Sequence, residues 1–145
     1  MRVKIRIASP DDAKAVSRLI RDELHTPVSA SDTAQALSQF CVNPRHKIFV
    51  AAVDDAVVGY LHACDYDSLL LTAPMKSVLS MAVGASYRRI GIGKALLTRA
   101  ERWAREQGAN GVRMDGGVPA KDAEGFFLHC GYAGAPFAKE FEKSR

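Results

Sequence analysis

The stretch KSVLSMAVGASYRRIGIGKALL, residues 76–97, restricts the possible folds more than any other part of the chain. Its first eight residues are apolar on both faces of a period-two strand, which places that strand inside a sheet. From Ile92 the apolar spacing is helical: Ile92, Leu96, Ala100, Trp103 and Gln107 mark one side, and Leu97 and Ala104 widen it. Gly91 and Gly93 stand where that helix begins. The first N–H groups of a helix have no partner within it, and they point outward with the positive end of its dipole. An anion set there meets several donors at once, and glycines let it approach the backbone. Arg88, Arg89 and Lys94 form the densest basic spot in the chain. The unit reads as a strand, a turn and a bare helix start suited to a phosphate.

Two well-known phosphate motifs do not fit. A P-loop needs a first glycine where Arg88 stands and a hydroxyl after the lysine, where this chain has Ala95. A dinucleotide fingerprint needs a third glycine where Leu96 stands, and a βαβ unit where the preceding pattern is an antiparallel meander.

The rest of the chain surrounds this unit with alternating elements. Residues 3–8 alternate as a strand. A helix follows to Leu24, with Ser9 as cap, Pro10 in the first turn, Asp11 and Asp12 against the dipole, and Val16, Leu19, Ile20 and Leu24 as its apolar stripe. A second helix is predicted from Ser31 as cap, ending at NPRH. KIFVAAVDDAVVGYLHACDY reads as a hairpin turning at DDA, and DSLLLTAPMK as a loop. After the long helix, residues 92–107, GVRMD is a short strand and PAKDAEGFFLHC a helix stopped by Gly131. YAGAPFAKEFEK is one more strand or a broken pair. The order β, α, α, β, β, β, α, β, α, β is that of a mixed α/β layer fold, and 145 residues suit one domain, 1–145.

Composition narrows the function classes. No apolar run is long enough to span a membrane, and the charged, alternating N-terminus is unlike a signal peptide. The three cysteines, Cys41, Cys64 and Cys130, are far apart and lack zinc spacing, which fits free thiols in a reducing cytosol. The net charge is +4, its densest basic spot lies around the glycines, and no basic block is interleaved with aromatics. A local anion site fits this better than a nucleic-acid surface.

Arg88-Arg89-Ile90-Gly91-Ile92-Gly93, after LSMAV and before KALL, follows the pattern [Q/R]-x-x-G-x-[G/A]. In this the chain resembles the GNAT superfamily, the acyl-CoA-dependent N-acetyltransferases, over nearly its whole length. IRIASPDDAKAVSRLI looks like the family's first strand and helix, AAVDDAVVGYLHA like its central hairpin, and FFLHCGY like the helix that usually ends in Tyr-x-x-x-Gly-Phe. The resemblance implies a mostly antiparallel sheet of about six to seven strands flanked by four helices. It implies acetyl-CoA as co-substrate, with no metal. The backbone of Arg89, Ile90, Gly91, Ile92, Gly93 and Lys94 would cradle the pyrophosphate, with Arg88 adding charge. Met81, Ala82 and Val83 would run beside the pantetheine arm, and the Val83 amide would face the oxyanion.

The catalytic groups are less typical. The family's tyrosine acid falls at Phe127 and its frequent asparagine at Ala120. Cys130 and Tyr132 are the candidate substitutes, each also readable as core, and His129 ranks below them; solvent can equally protonate the leaving thiolate. Asp115 is the candidate base, or else a turn cap before two glycines. His62, Asp65, Tyr66 and Asp67 can line an acceptor pocket, although a histidine on an apolar strand is often structural. Glu23, Asp32, Asp65 and Asp67 hint at a cationic amine. The resulting expectation is a cytoplasmic N-acetyltransferase acting by direct transfer on a small-molecule or peptide amine, with no nucleic-acid or membrane partner and a possible homodimer. The alternative is an inactive acyl-CoA-binding module on the same fold.

Overall fold

The computed structural model describes residues 2–70, 73–117, 123–134 and 137–142. Six strands form one sheet in the order of the chain: β1 (Val3–Ile7), β2 (His46–Val53), β3 (Ala56–Tyr66), β4 (Met75–Val83), β5 (Gly111–Gly117) and β6 (Ala138–Glu140). Every neighbouring pair is antiparallel except β4 and β5, which are parallel. That exception follows from the connection, since the helix between them returns the chain to the end where β4 began. The apolar run at residues 76–83 is the fourth of six strands, as its two-sided hydrophobicity implied.

Helices cover both faces. Helix α3 (Ile92–Glu106) lies on one face, where Leu96, Leu97, Ala100, Trp103 and Ala104 are buried against Phe49, Leu61, Val78 and Met81 of the sheet. Helix α4 (Ala123–His129) joins this side through Phe127. Helices α1 (Ala13–Leu24) and α2 (Ala30–Phe40) cover the other face, where Val16, Leu19 and Leu37 meet Val50, Tyr60 and Ala82. Alternation along the strands, shifted at bulges in β2–β3 and β3–β4, makes this sorting possible.

Local chemistry sets the element ends. The chain enters α1 through a short 3-10 turn, Pro10–Asp12, and the Asp12 carboxylate accepts the Ser9 N–H at 2.9 Å and a forked pair of bonds from Arg6 at 2.8 Å. The second helix starts earlier than the sequence suggests. Ser29, not Ser31, is its cap, accepting the Asp32 N–H at 3.0 Å. Both serines have the right chemistry, and only Ser29 has the extended backbone that a cap needs. The hairpin turns at Asp54 and Asp55, both with positive φ, as a two-residue turn between twisted strands requires. Ala120 and the first residues of the predicted fourth helix lie outside the described residues. Strand β6 is short, with a single extra bridge from Ala133 to Ala138.

Candidate active site

The glycine turn is built by two reversals of the chain. After β4, Gly84 donates its N–H to Val58 at 2.8 Å, a 3-10 turn covers Ala85–Tyr87, and Arg88 is extended. Arg89 then takes φ 64 and Gly91 φ 89, and α3 begins. The first helical bond runs from the Ala95 N–H to the Gly91 carbonyl at 3.0 Å, so the amides of Ile92, Gly93 and Lys94 precede the ladder. Beyond the turn's own backbone and Gly91's chain neighbours, no atom among the described residues lies within 4 Å of where a Gly91 side chain would begin. Arg89, Ile90, Gly91 and Lys94 are exposed around this opening.

The two glycines do different work. Gly91 supplies a backbone angle that an L side chain opposes. Gly93 supplies room for the Phe126 ring, because a Cβ there would lie 3.0 Å from Phe126 Cζ. The Arg88 side chain has partners of its own. It is ion-paired with Glu23 in the last turn of α1, and its Nε donates weakly to the Val83 carbonyl at 3.5 Å. It therefore ties the turn to the first helix.

Strands β4 and β5 separate beside this turn. Val78 pairs with Met114 and Ser80 with Gly117, so two residues of β5 stand against Leu79 alone; against β3, Leu79 is itself the extra residue, and that bulge lets Val78 and Met81, three residues apart, face the same core. Beyond Ser80, β4 continues as Met81, Ala82 and Val83 with no strand on that edge among the described residues. The open edge is about 10 Å long and points toward the start of α3. A phosphate-bearing donor with an extended amide arm fits these two features: a bare helix start for its anionic part and an unpaired strand edge for its amides.

On the face covered by α1 and α2, the same place is the wall of a cavity of about 340 Å³. Val16 and Ile20 of α1, Leu37 and Phe40 of α2, and Ile48 of β2 make most of it apolar. Tyr60, His62 and Ser80 supply polar atoms from the sheet, and Thr33 and Asp32 from α2. Tyr60 donates to Ser80 Oγ at 2.7 Å, and burial raises its pKa above the ordinary value. His62 Nε2 lies 2.9 Å from His46 Nδ1, and Phe40 packs against both rings. Burial, reinforced by the charge of His46, lowers the His62 pKa to about 4.

The predicted catalytic residues are spread over both faces. Val112 and Met114 of β5 point into the α3 core, so Asp115, like Arg113, faces the cavity side. Its carboxylate is half exposed and accepts from Arg113 at 3.4 Å, while the Arg113 guanidinium stacks on Tyr66. Tyr132 is on the opposite side and buried. Its hydroxyl donates to Glu101 of α3 at 2.7 Å, and Lys139 pairs with the same carboxylate at 3.1 Å. Burial, then the bond and charge of Glu101, raises the Tyr132 pKa far above the tyrosine range. Cys130, in the turn just after α4, is half-buried, with burial raising its thiol pKa. Phe127 is enclosed by Phe126, Tyr132 and Phe137.

Of the hairpin cluster, His62 reaches the cavity wall. Asp65 faces the α3 side, paired with Lys76, whose ammonium sits over Trp103; Asp67 pairs with Arg45. Sequence reasoning did not single out Tyr60, Ser80 or His46. The alternation that puts His62 on one face puts Tyr60 on the same face, and a serine inside an apolar strand was the available signal for Ser80. Among the described residues no group of three or more His, Cys, Asp or Glu could hold a metal ion, and no helix is long and apolar enough to cross a membrane.

A mixed sheet that parts beside a bare helix start defines a protein that holds an extended, phosphate-bearing donor. The chain belongs to the acetyltransferase (GNAT) family, which it matches over residues 14–132. It is 27% identical over 132 residues to aminoglycoside N(6')-acetyltransferase type 1 of Stenotrophomonas maltophilia, covering 88% of this chain and 84% of that one. The PaiA N-acetyltransferase of Thermoplasma acidophilum, solved with coenzyme A, superposes with a TM-score of 0.76 at 16% identity, covering 97% of this chain and 100% of that one. A transcriptional regulator of Bacillus halodurans superposes with a TM-score of 0.82 at 18% identity, covering 99% of both chains. At these identities the structural likeness is one of fold.

Proposed function

We propose that this protein transfers an acetyl group from acetyl-CoA directly to the primary amine of a small molecule, with both substrates bound together. The observation that carries this reading is that the parting of β4 from β5 is also a wall of the cavity: Ser80 ends the pairing on one side and lines the cavity on the other. Donor and acceptor can therefore meet without either crossing the sheet.

The residues have separate parts in this reading. The amides of Ile92, Gly93 and Lys94, with the backbone of Arg89, Ile90 and Gly91, hold the pyrophosphate. The open edge of Met81, Ala82 and Val83 pairs with the pantetheine amides, and the Val83 N–H stabilises the oxyanion. The acceptor ammonium must lose a proton before it can attack. Asp115, on the cavity side and half exposed, takes it through water. The leaving thiolate takes its proton from Cys130 or from solvent. Tyr132, with its proton committed to Glu101 inside the core, serves the fold instead. The free cysteines suit a reducing, cytoplasmic setting.

One observation favours a second reading, an acyl-CoA-binding module without turnover: Phe127, at the position of the family's acid, is buried among aromatic rings. Thiol release from acetyl-CoA across a panel of amines separates the two. Release dependent on an amine is the expected result; coenzyme A binding with no release for any amine supports the module. Gly91→Asp tests the donor site in both cases, since it sets a carboxylate against the pyrophosphate. It is expected to abolish coenzyme A binding, and unchanged affinity with an intact fold removes the assignment.

A further inference from the structure

The cavity under α1 and α2 is far less polar than an acceptor with several ammonium groups requires. Its volume of about 340 Å³ is at the small end of the range for small-molecule sites, about 300–1,000 Å³. Apolar side chains from α1, α2 and β2 make most of its wall, and Asp32 is its one carboxylate. The other acids that the sequence offered for the acceptor side do not line the cavity, and each has a basic partner. Glu23 pairs with Arg88, Asp67 with Arg45, and Asp115 with Arg113. Asp32 takes part in no ion pair among the described residues. A second or third ammonium in this cavity would lose its water and find no counter-charge, which is costly. An apolar body would lose only unfavourable contact with water.

Resting on the reading of the protein as an acetyl-CoA-dependent N-acetyltransferase, we infer that this cavity selects a primary monoamine with an aromatic or branched aliphatic body. The body lies against Val16, Ile20 and Phe40, and Asp32 draws in the single ammonium. The Tyr60–Ser80 hydroxyl pair marks the end at which the nitrogen meets the parted strands. A polyamine or aminosugar of high charge is excluded by the same wall.

Ala36 and Val28 give the test. Both line the cavity, and both are partly exposed rather than in the core, so a larger side chain at either fills the cavity from its rim. The probe is 2-phenylethylamine, titrated by calorimetry into the full chain with coenzyme A present. Binding is expected, and Ala36→Phe is expected to weaken it roughly tenfold or more while leaving coenzyme A affinity unchanged. Val28→Phe repeats the test from the loop before α2 should the helix variant unfold. Asp32→Asn is expected to weaken the amine and spare its neutral analogue, ethylbenzene. Absence of phenylethylamine binding overturns the inference. So does binding indifferent to both rim variants, or preferred turnover of a polyamine or aminoglycoside over monoamines. Failure of the broader reading looks different: phenylethylamine binds and is displaced by the rim variants, yet no thiol is released.

Discussion

Single residues carry the sharpest distinctions in this protein. Tyr132 and Asp115 were both candidates for proton transfer, and their surroundings separate them. The Tyr132 hydroxyl bonds a buried carboxylate that Lys139 also holds, so Tyr132→Phe removes one of the two side-chain partners of Glu101. The expected cost is about 1.5–3 kcal/mol of stability, as for a hydrogen bond to a charged group, with kcat and the KM for acetyl-CoA unchanged. Equilibrium denaturation and steady-state kinetics check this together; a loss of kcat at unchanged stability returns Tyr132 to the chemistry. Asp115 has the opposite profile, half exposed and paired with Arg113. Asp115→Asn is expected to lower the rate at neutral pH, to shift the pH–rate profile, and to leave stability and coenzyme A affinity almost unaltered. An unaltered profile removes Asp115 as the base.

Between elements, the decisive contact is that of α4 with the first turn of α3. Gly93 lets the Phe126 ring lie where any Cβ would stand 3.0 Å away. Gly93→Ala is therefore expected to displace α4 and cost about 1–3 kcal/mol, as overpacking does. Phe126→Leu should restore part of that loss in the double variant, giving a coupling energy of about 0.5 kcal/mol or more. Additive effects in the cycle show that the glycine is there for the ligand alone. The sequence pointed to both glycines and assigned them one purpose. The packing divides that purpose, because the partner of Gly93 lies 33 positions further along the chain. The same limit explains the cap of α2. Ser29 and Ser31 are chemically equal, and the path of the chain out of α1, through His25 in the left-handed region, leaves Ser29 extended. By contrast, the strands, the hairpin turn and the start of α3 were legible, because alternation, turn chemistry and helix period are properties of near neighbours.

At the scale of the whole molecule, acid should weaken the fold in two stages. His62 and His46 are both held below the ordinary histidine value, chiefly by burial. Between the ordinary 6.5 and about 4, the unfolded chain takes up the proton that native His62 refuses, so stability falls as pH falls. The full His62 contribution is about 3 kcal/mol. Asp12, whose pKa is lowered first by its bonds from Arg6, acts at lower pH in the same direction. Its stabilisation is present above the ordinary carboxylate value and is lost as the native group protonates. Denaturant midpoints measured from pH 8 to pH 3 should show both declines, and His62→Asn should flatten the first. A midpoint constant between pH 6.5 and 4 overturns the burial argument for the histidine pair.

The sequence by itself determined the strand–glycine–helix unit, the order of the elements and the family with its acetyl-CoA co-substrate, since each is written in residues close along the chain. Tertiary structure decided what those residues face. It put Tyr132 against Glu101, 31 positions away, and Arg88 against Glu23, 65 positions away. It also brought Tyr60, Ser80 and α2 together as one largely apolar cavity. Such contacts depend on the order of the strands and the packing of the helices on them, which no local pattern encodes. The family, and with it the donor, was therefore readable from the sequence, and the cavity on which the proposed acceptor rests only from the folded chain.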